Sequence, residues 1–227
     1  NEDRLAVEQV ERHLFAGLVF DETRRDDADP AAAADLLVDH LLEHDLRPLK
    51  NWNDAVEQWM ARTRFVARCV PERGLIAYSD DDVRVILHEI VSGATRLNQV
   101  RDRDCLTPVR NALSWDDQQF VERMAPTSLP LPISPDARRG DRTSNNLKIE
   151  YPASPDAPPR GRARIQQLFD LPQSPTVAGG RQRIVLEILG PNYRPVQVTE
   201  DLASFWANTY PQLKKELKRR YPKHEWR

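Results

Sequence analysis

The chain has 227 residues, 40% of them apolar and 30% charged, enough to bury a sizeable core in one large domain or two. It holds no apolar run approaching the ~18 residues of a membrane span and opens on no basic-then-apolar leader, so a soluble, cytoplasmic chain with no membrane partner is expected. Its net charge of −2 hides a split: residues 1–135 carry 16 Lys/Arg against 25 Asp/Glu, residues 136–227 carry 17 against 10, and such asymmetry keeps a polyanionic partner in play.

Residues 5–23 alternate around Val7–Val10 and Leu14–Phe20, which predicts two short strands. A lone hairpin is marginally stable, so this piece is expected to pack on strands that precede it. Asp29 and Pro30 then read as the cap and first turn of a helix whose apolar face runs through Leu37, Leu41 and Leu42 to about Leu46. A second helix follows from Trp52, Val56, Trp59, Met60, Thr63, Val66 and Val70, capped by Asn53, with Trp59 in the core. Ser79 with Asp82 forms a capping box for a third, with Ile86, Leu87, Ile90 and Val91 inside and Gly93 as its stop. Asp80–Asp82 therefore read as complements to a helix dipole ahead of a metal site. Shorter helices near 105–113 and 115–124, filled by Trp115 and Phe120, complete an all-helical stretch.

From Pro126 the texture becomes rich in Pro and Ser, with strand-like runs at 128–133 and 146–151. The expected fold class is α+β: a terminal hairpin over 1–28, a helical domain over 29–125, and a small basic domain of antiparallel strands and helices over 126–227. Within the last, 160–169 reads as a helix through Ile165, Leu168 and Phe169. RIVLEIL turns at Gly190-Pro191-Asn192 into RPVQVT, a hairpin. Thr199 is expected to cap a helix, and Pro211 to restart the helical run to the end.

The residues offer little chemistry. His88-Glu89 begins a zinc-protease H-E-x-x-H, but position 92 is Ser. His40 and His44 stand four apart and could hold a metal, but read better as a helix-end pair. Cys69 and Cys105, with no C-x-x-C, suggest buried thiols. Ala178-Gly179-Gly180-Arg181 lacks a Gly-Lys-Ser/Thr ending and reads as a turn. No catalytic residue, cofactor or metal ligand is expected in this chain.

The cations are more informative. Arg160, Arg162 and Arg164, placed at a helix start, would oppose the dipole and call for an anion, either a carboxylate such as Asp80–Asp82 or a phosphate. Lys214, Lys215, Lys218 and Arg219 lie toward a helix C-terminus, where they need no ligand. With Arg181, Arg183 and Lys223 these are the candidate nucleic-acid contacts. Tyr221, His224 and Trp226 read first as anchors clasping the tail to its own domain and second as stacking residues.

GGR at 179–181, RPVQVT at 194–199, DLASFW at 201–206, NTYP at 208–211 and RYPKHEW at 220–226 resemble the C-terminal signature of the HrpB-type bacterial DEAH-box ATP-dependent helicases. Weaker similarity runs upstream through 113–132 and the Trp52–Val70 helix. The resemblance implies a motor of two RecA-like domains elsewhere in the polypeptide, holding ATP and Mg²⁺, with Asn1 near the end of an OB-like part. The stretch around 135–164 departs from the family pattern, and the resemblance supplies no binding residues. Two roles stay open: an accessory region that binds single-stranded RNA beside the motor domains, and a scaffolding module that docks on the helicase core or another partner without touching RNA. No constellation supports an independent enzyme.

Overall fold

The protein is described from a computed structural model, which covers residues 5–16, 18–25, 28–132, 146–154, 156–224 and 226–227. Two compact units emerge. One comprises Asn1–Met60 with Ile76–Trp115, the other Ala61–Leu75 with Asp116–Arg227. No helix among the described residues is long and apolar enough to cross a membrane.

The first unit opens on a hairpin, β1 (Gln9–Phe15) and β2 (Leu18–Arg25), paired antiparallel. Both strands are shifted along the chain from the expected Val7–Val10 and Leu14–Phe20: the first runs on to Phe15, and the chain turns at Ala16 (φ 49°), inside the stretch expected to be the second strand. Helix α1 (Pro30–Glu43) starts where expected, with the Asp29 carboxylate accepting from Ala32 N. It stops short of Leu46, since Asp45 and Leu46 turn into the left-handed region. In α2 (Asp54–Cys69), Asn53 Oδ1 accepts from Ala55 N. Trp59 is buried as expected, and its indole N–H donates to the Tyr78 hydroxyl, which donates to Val109 O. Helix α3 (Asp80–Val91) carries the full Ser79/Asp82 capping box, and Gly93 (φ 71°) lies two residues past its end. Arg103 closes that end by donating to Ile90 O and Ser92 O. Helix α4 (Leu106–Asn111) completes the unit.

Helix α5 (Trp115–Met124) leads into the second unit. Trp115 is not a core residue: it is 70% exposed. Phe120 is half-buried beneath the Arg73 guanidinium. The strands are β3 (Ser128–Pro130), β4 (Asn146–Glu150), β5 (Arg160–Arg164), β6 (Thr176–Val177), β7 (Gln182–Arg183), β8 (Val185–Leu189) and β9 (Pro195–Thr199). Ile133, the last residue of an expected strand, lies outside the described residues. Five strands form one sheet in the order β3-β4-β5-β8-β9.

Two expectations are corrected here. Residues 160–164 are a strand, and the helical character of 160–169 is confined to one 3-10 turn, Ile165–Leu168. The reason is the inward face: Gly161 and Ala163 alternate with the arginines and are buried against the sheet's core, while a helix would stack three cations on its positive end. The sheet is also mixed, since β5 and β8 run parallel. The connection 165–184 is long enough for the crossover that parallel pairing requires.

The expected β8–β9 hairpin forms, antiparallel with an irregularity at Ile188/Leu189. The helix after it is capped by Asp201, whose carboxylate accepts from Ser204 N, and not by Thr199, whose hydroxyl instead accepts from Asp201 N. It comprises α6 (Leu202–Ser204), a π turn (Phe205–Thr209) and α7 (Tyr210–Arg220). The sheet's inner residues, Leu147, Ile149, Leu186 and Ile188, share one core with Phe65 and Val66 of α2 and with Leu202, Phe205 and Leu217.

Candidate nucleic-acid interface

A strand presents alternate residues to opposite faces, and β5 uses this rule to sort its residues. Gly161 and Ala163 go inward; Arg160 and Arg162 stand exposed on the outer face, with Arg164 half-buried at its end. The close approach on the inner side explains the glycine: a Cβ at Gly161 would come within 2.8 Å of Leu147 Cδ1. On the neighbouring strands the same outer face carries exposed Lys148 and Glu150 of β4, half-buried Glu187 of β8 and exposed Val198 of β9.

Arg162 Nε donates to Glu187, directly beside it in the parallel register, at 2.7 Å. That bond, followed by the charges of Glu187 and Glu150, holds the guanidinium above its ordinary value. In a strand no helix dipole calls for an anion here, and Glu187 already pairs with Arg162. Arg164 sits 5.6 Å from the ring centroid of Tyr193, a geometry suited to cation–π attraction.

The other candidates separate. Arg181 donates to Cys69 O and Glu72, each at 2.7 Å. It ties the turn before β7 to the end of α2 and its following 3-10 turn. The pairing lowers the Glu72 carboxyl and raises Arg181. Arg183 is exposed on β7. Lys215, Lys218 and Arg219 are exposed along α7, Lys214 is half-buried there, and Lys223 is exposed beyond its end. The structure therefore brings Arg160, Arg162 and Arg164 together on one strand of the sheet, gathers Lys214, Lys215, Lys218 and Arg219 on one helix, leaves Arg183 on β7 and Lys223 beyond α7, and gives Arg181 to an internal strut.

The tail aromatics divide as well. Tyr221 and Trp226 pack against the core, and the Trp226 indole N–H donates to Tyr221 O. His224 is exposed with its ring edge-on to Tyr221. Arg227 pairs with Asp170 and lies over Phe169.

Two residues of the sheet face were not candidates from the sequence. Lys148 reads there only as part of a short strand run. Tyr193 sits in the GPNYR turn, where hairpin chemistry alone draws attention. Pairing β4 with β5 is what places Lys148 beside the arginines.

Among the described residues no group of three or more His, Cys, Asp or Glu is placed to hold an ion. The His40 and His44 rings lie with centroids 4.1 Å apart and planes tilted by 34° at the end of α1. Burial pushes the Cys105 thiol up to about 11 and raises Cys69 as well.

The family described as HrpB_C, ATP-dependent helicase C-terminal, matches residues 86–227. Over 180 residues, 78% of this chain and 21% of the relative, the sequence is 32% identical to the ATP-dependent RNA helicase HrpB of Escherichia coli strain K12. Its fold is similar to a crystal structure of the E. coli DExH-box NTPase HrpB, with a TM-score of 0.76 and 26% identity over 99% of this chain and 28% of that one. A second crystal structure, of the E. coli DEAH/RHA helicase HrpB, gives a TM-score of 0.67 and 26% identity over 100% of this chain and 29% of that one. The chain spans about a fifth of the curated relative's length.

Proposed function

This chain belongs to the HrpB_C family of ATP-dependent helicase C-terminal regions, and from that premise we propose that it is a non-catalytic accessory region of an ATP-dependent RNA helicase, adding a grip on single-stranded RNA beside the motor domains. In this reading ATP and Mg²⁺ belong to the motor, and this region supplies contacts to the phosphate backbone. The observation that carries it is the outer face of the five-stranded sheet, where Lys148, Arg160 and Arg162 stand exposed in adjacent strands beside Arg164. The unit that contains it has 22 Lys/Arg against 14 Asp/Glu, a balance of +8. Favouring the second reading, a scaffold that avoids RNA, is the share of these cations already spent on internal carboxylates, Arg162 and Arg181 among them.

Titration of the chain into labelled single-stranded RNA at several salt concentrations tests the proposal. Three or four phosphate contacts give log K falling with log salt at a slope of roughly −2 to −3. Lys148→Glu with Arg160→Glu should flatten that slope by about 1.4. Reversal of Lys214, Lys215 and Lys218 flattens it only if α7 takes part. An absence of binding at low salt overturns the proposal.

A further inference from the structure

We infer that Tyr193 is a base-stacking post for single-stranded nucleic acid at the edge of the basic sheet face, an inference that rests on the RNA-binding reading and adds the part of the ligand being read. Tyr193 lies in the turn between β8 and β9, and 67% of it is exposed. A tyrosine ring left this far out of the core offers its face to a ligand. The backbone does not relax to hide it. Tyr193 holds φ 60°, a conformation that suits glycine and that bulky residues seldom adopt. The turn is fixed by three hydrogen bonds: Tyr193 N to Gly190 O at 3.0 Å, Gly190 N to Arg194 O at 2.9 Å, and Arg194 N to Asn192 Oδ1 at 3.3 Å. An unfavourable residue in a rigid turn, with its ring outward, is the pattern expected where backbone stability has been exchanged for a contact.

The surroundings specify the contact. Arg164 stands 5.6 Å from the ring centroid and is the last of three arginines that alternate along β5. Same-face neighbours on a strand are about 6.6 Å apart, so the row is about 13 Å long and ends beside the ring. Cations in line with an exposed aromatic suit a ligand with repeated phosphates and a free π-face. Only an unpaired strand offers both, because a duplex keeps its base faces stacked inside.

Tyr193→Gly separates a stacking role from a structural one, because glycine fits φ 60° and deletes only the ring. The probes are a fluorescent oligoadenylate RNA and a duplex RNA of equal length, titrated with the 227-residue chain. Expected are an unchanged or raised Tm, about tenfold weaker binding of the single strand, an unchanged salt slope and unchanged duplex affinity; Tyr193→Trp should restore binding. A single-strand affinity within twofold of the unsubstituted chain overturns the inference and leaves the wider reading intact. So does a lowered Tm with parallel losses on both probes, which marks the ring as packing. If the unsubstituted chain binds no RNA at low salt, the wider reading fails first and this one with it.

Discussion

Gly161→Ala distinguishes the strand at 160–164 from the helix that local spacing suggests, because the two give opposite signs. In an exposed helix, Gly→Ala stabilises by about 1 kcal/mol. In β5 the new methyl meets Leu147 Cδ1 at 2.8 Å, Cγ at 2.9 Å and Cδ2 at 3.1 Å. Leu147 is fully buried and cannot swing out into solvent. Overpacking of this kind costs about 1–3 kcal/mol, offset by ~0.5–1 kcal/mol from the less flexible unfolded chain. The net loss is about 1–2 kcal/mol, a Tm lower by about 2–8 °C for a chain of this size. Thermal melting gives the sign and urea unfolding the magnitude. Leu147→Ala, itself costing ~2–5 kcal/mol, should make room for the methyl, so the double variant is more stable than the sum of the single losses by ~0.5–3 kcal/mol. A Gly161→Ala variant at least as stable as the unsubstituted chain refutes the packing, and with it the placement of the three arginines on one sheet face.

Arg62, 5% exposed, donates Nε to the carbonyl of buried Ala125 and a second N–H to Glu122. Arg62→Met should lower unfolding free energy by about 2–4 kcal/mol, and Lys should not rescue it, since an ammonium lacks the fork that reaches both acceptors; urea midpoints check both. Arg181 holds the Glu72 carboxyl below its ordinary 4.5. The stability from this pair is therefore present above pH 4.5 and lost as pH falls through the folded value. Glu72→Gln should flatten the acid side of a Tm–pH profile, weakly and less so at high salt, because the pair is exposed. At pH 8 Cys105, buried with its thiol at about 11, should resist iodoacetamide while half-exposed Cys69 reacts slowly; both label in denaturant, as peptide masses will report.

Local chemistry made the starts of α1, α2 and α3 and the β8–β9 hairpin legible. The Asp29 and Ser79 caps act within three residues, and the Gly190-Pro191-Asn192 turn joins strands that follow one another. The sequence is silent where partners lie far apart along the chain. RGRAR has a period of two, but its inward residues are Gly and Ala, so no apolar alternation marks it. It is a strand because β4 and β8 flank it, and β8 arrives only after a long crossover. Trp115 carries a core composition and an exposed position, which no periodicity separates. Arg181 sits beside two glycines and suggests an anion site, yet its acceptors are Cys69 O and Glu72, more than a hundred residues earlier. Tyr193 carries no signal in the sequence, because turn chemistry explains its neighbours and says nothing about its ring.

Among the described residues, the cations of the second unit include two contrasting populations. Arg62, Arg73, Arg162, Arg181 and Arg227 each donate to a carboxylate of the same unit, and such pairs project little field beyond the ~8 Å Debye length of physiological salt. Among the described residues, Lys148, Arg160, Arg183, Lys223 and the exposed cations of α7 are among those a polyanion meets. A patch that contacts three or four phosphates gives modest, salt-sensitive affinity, so one stacked base, worth ~1–3 kcal/mol, is a large share of the total. In the proposed role modest affinity is sufficient. A site tethered beside a motor already on RNA meets its ligand at an effective concentration on the order of millimolar. Weak, sequence-tolerant contacts also let the strand move on with each step, which a tight site would prevent.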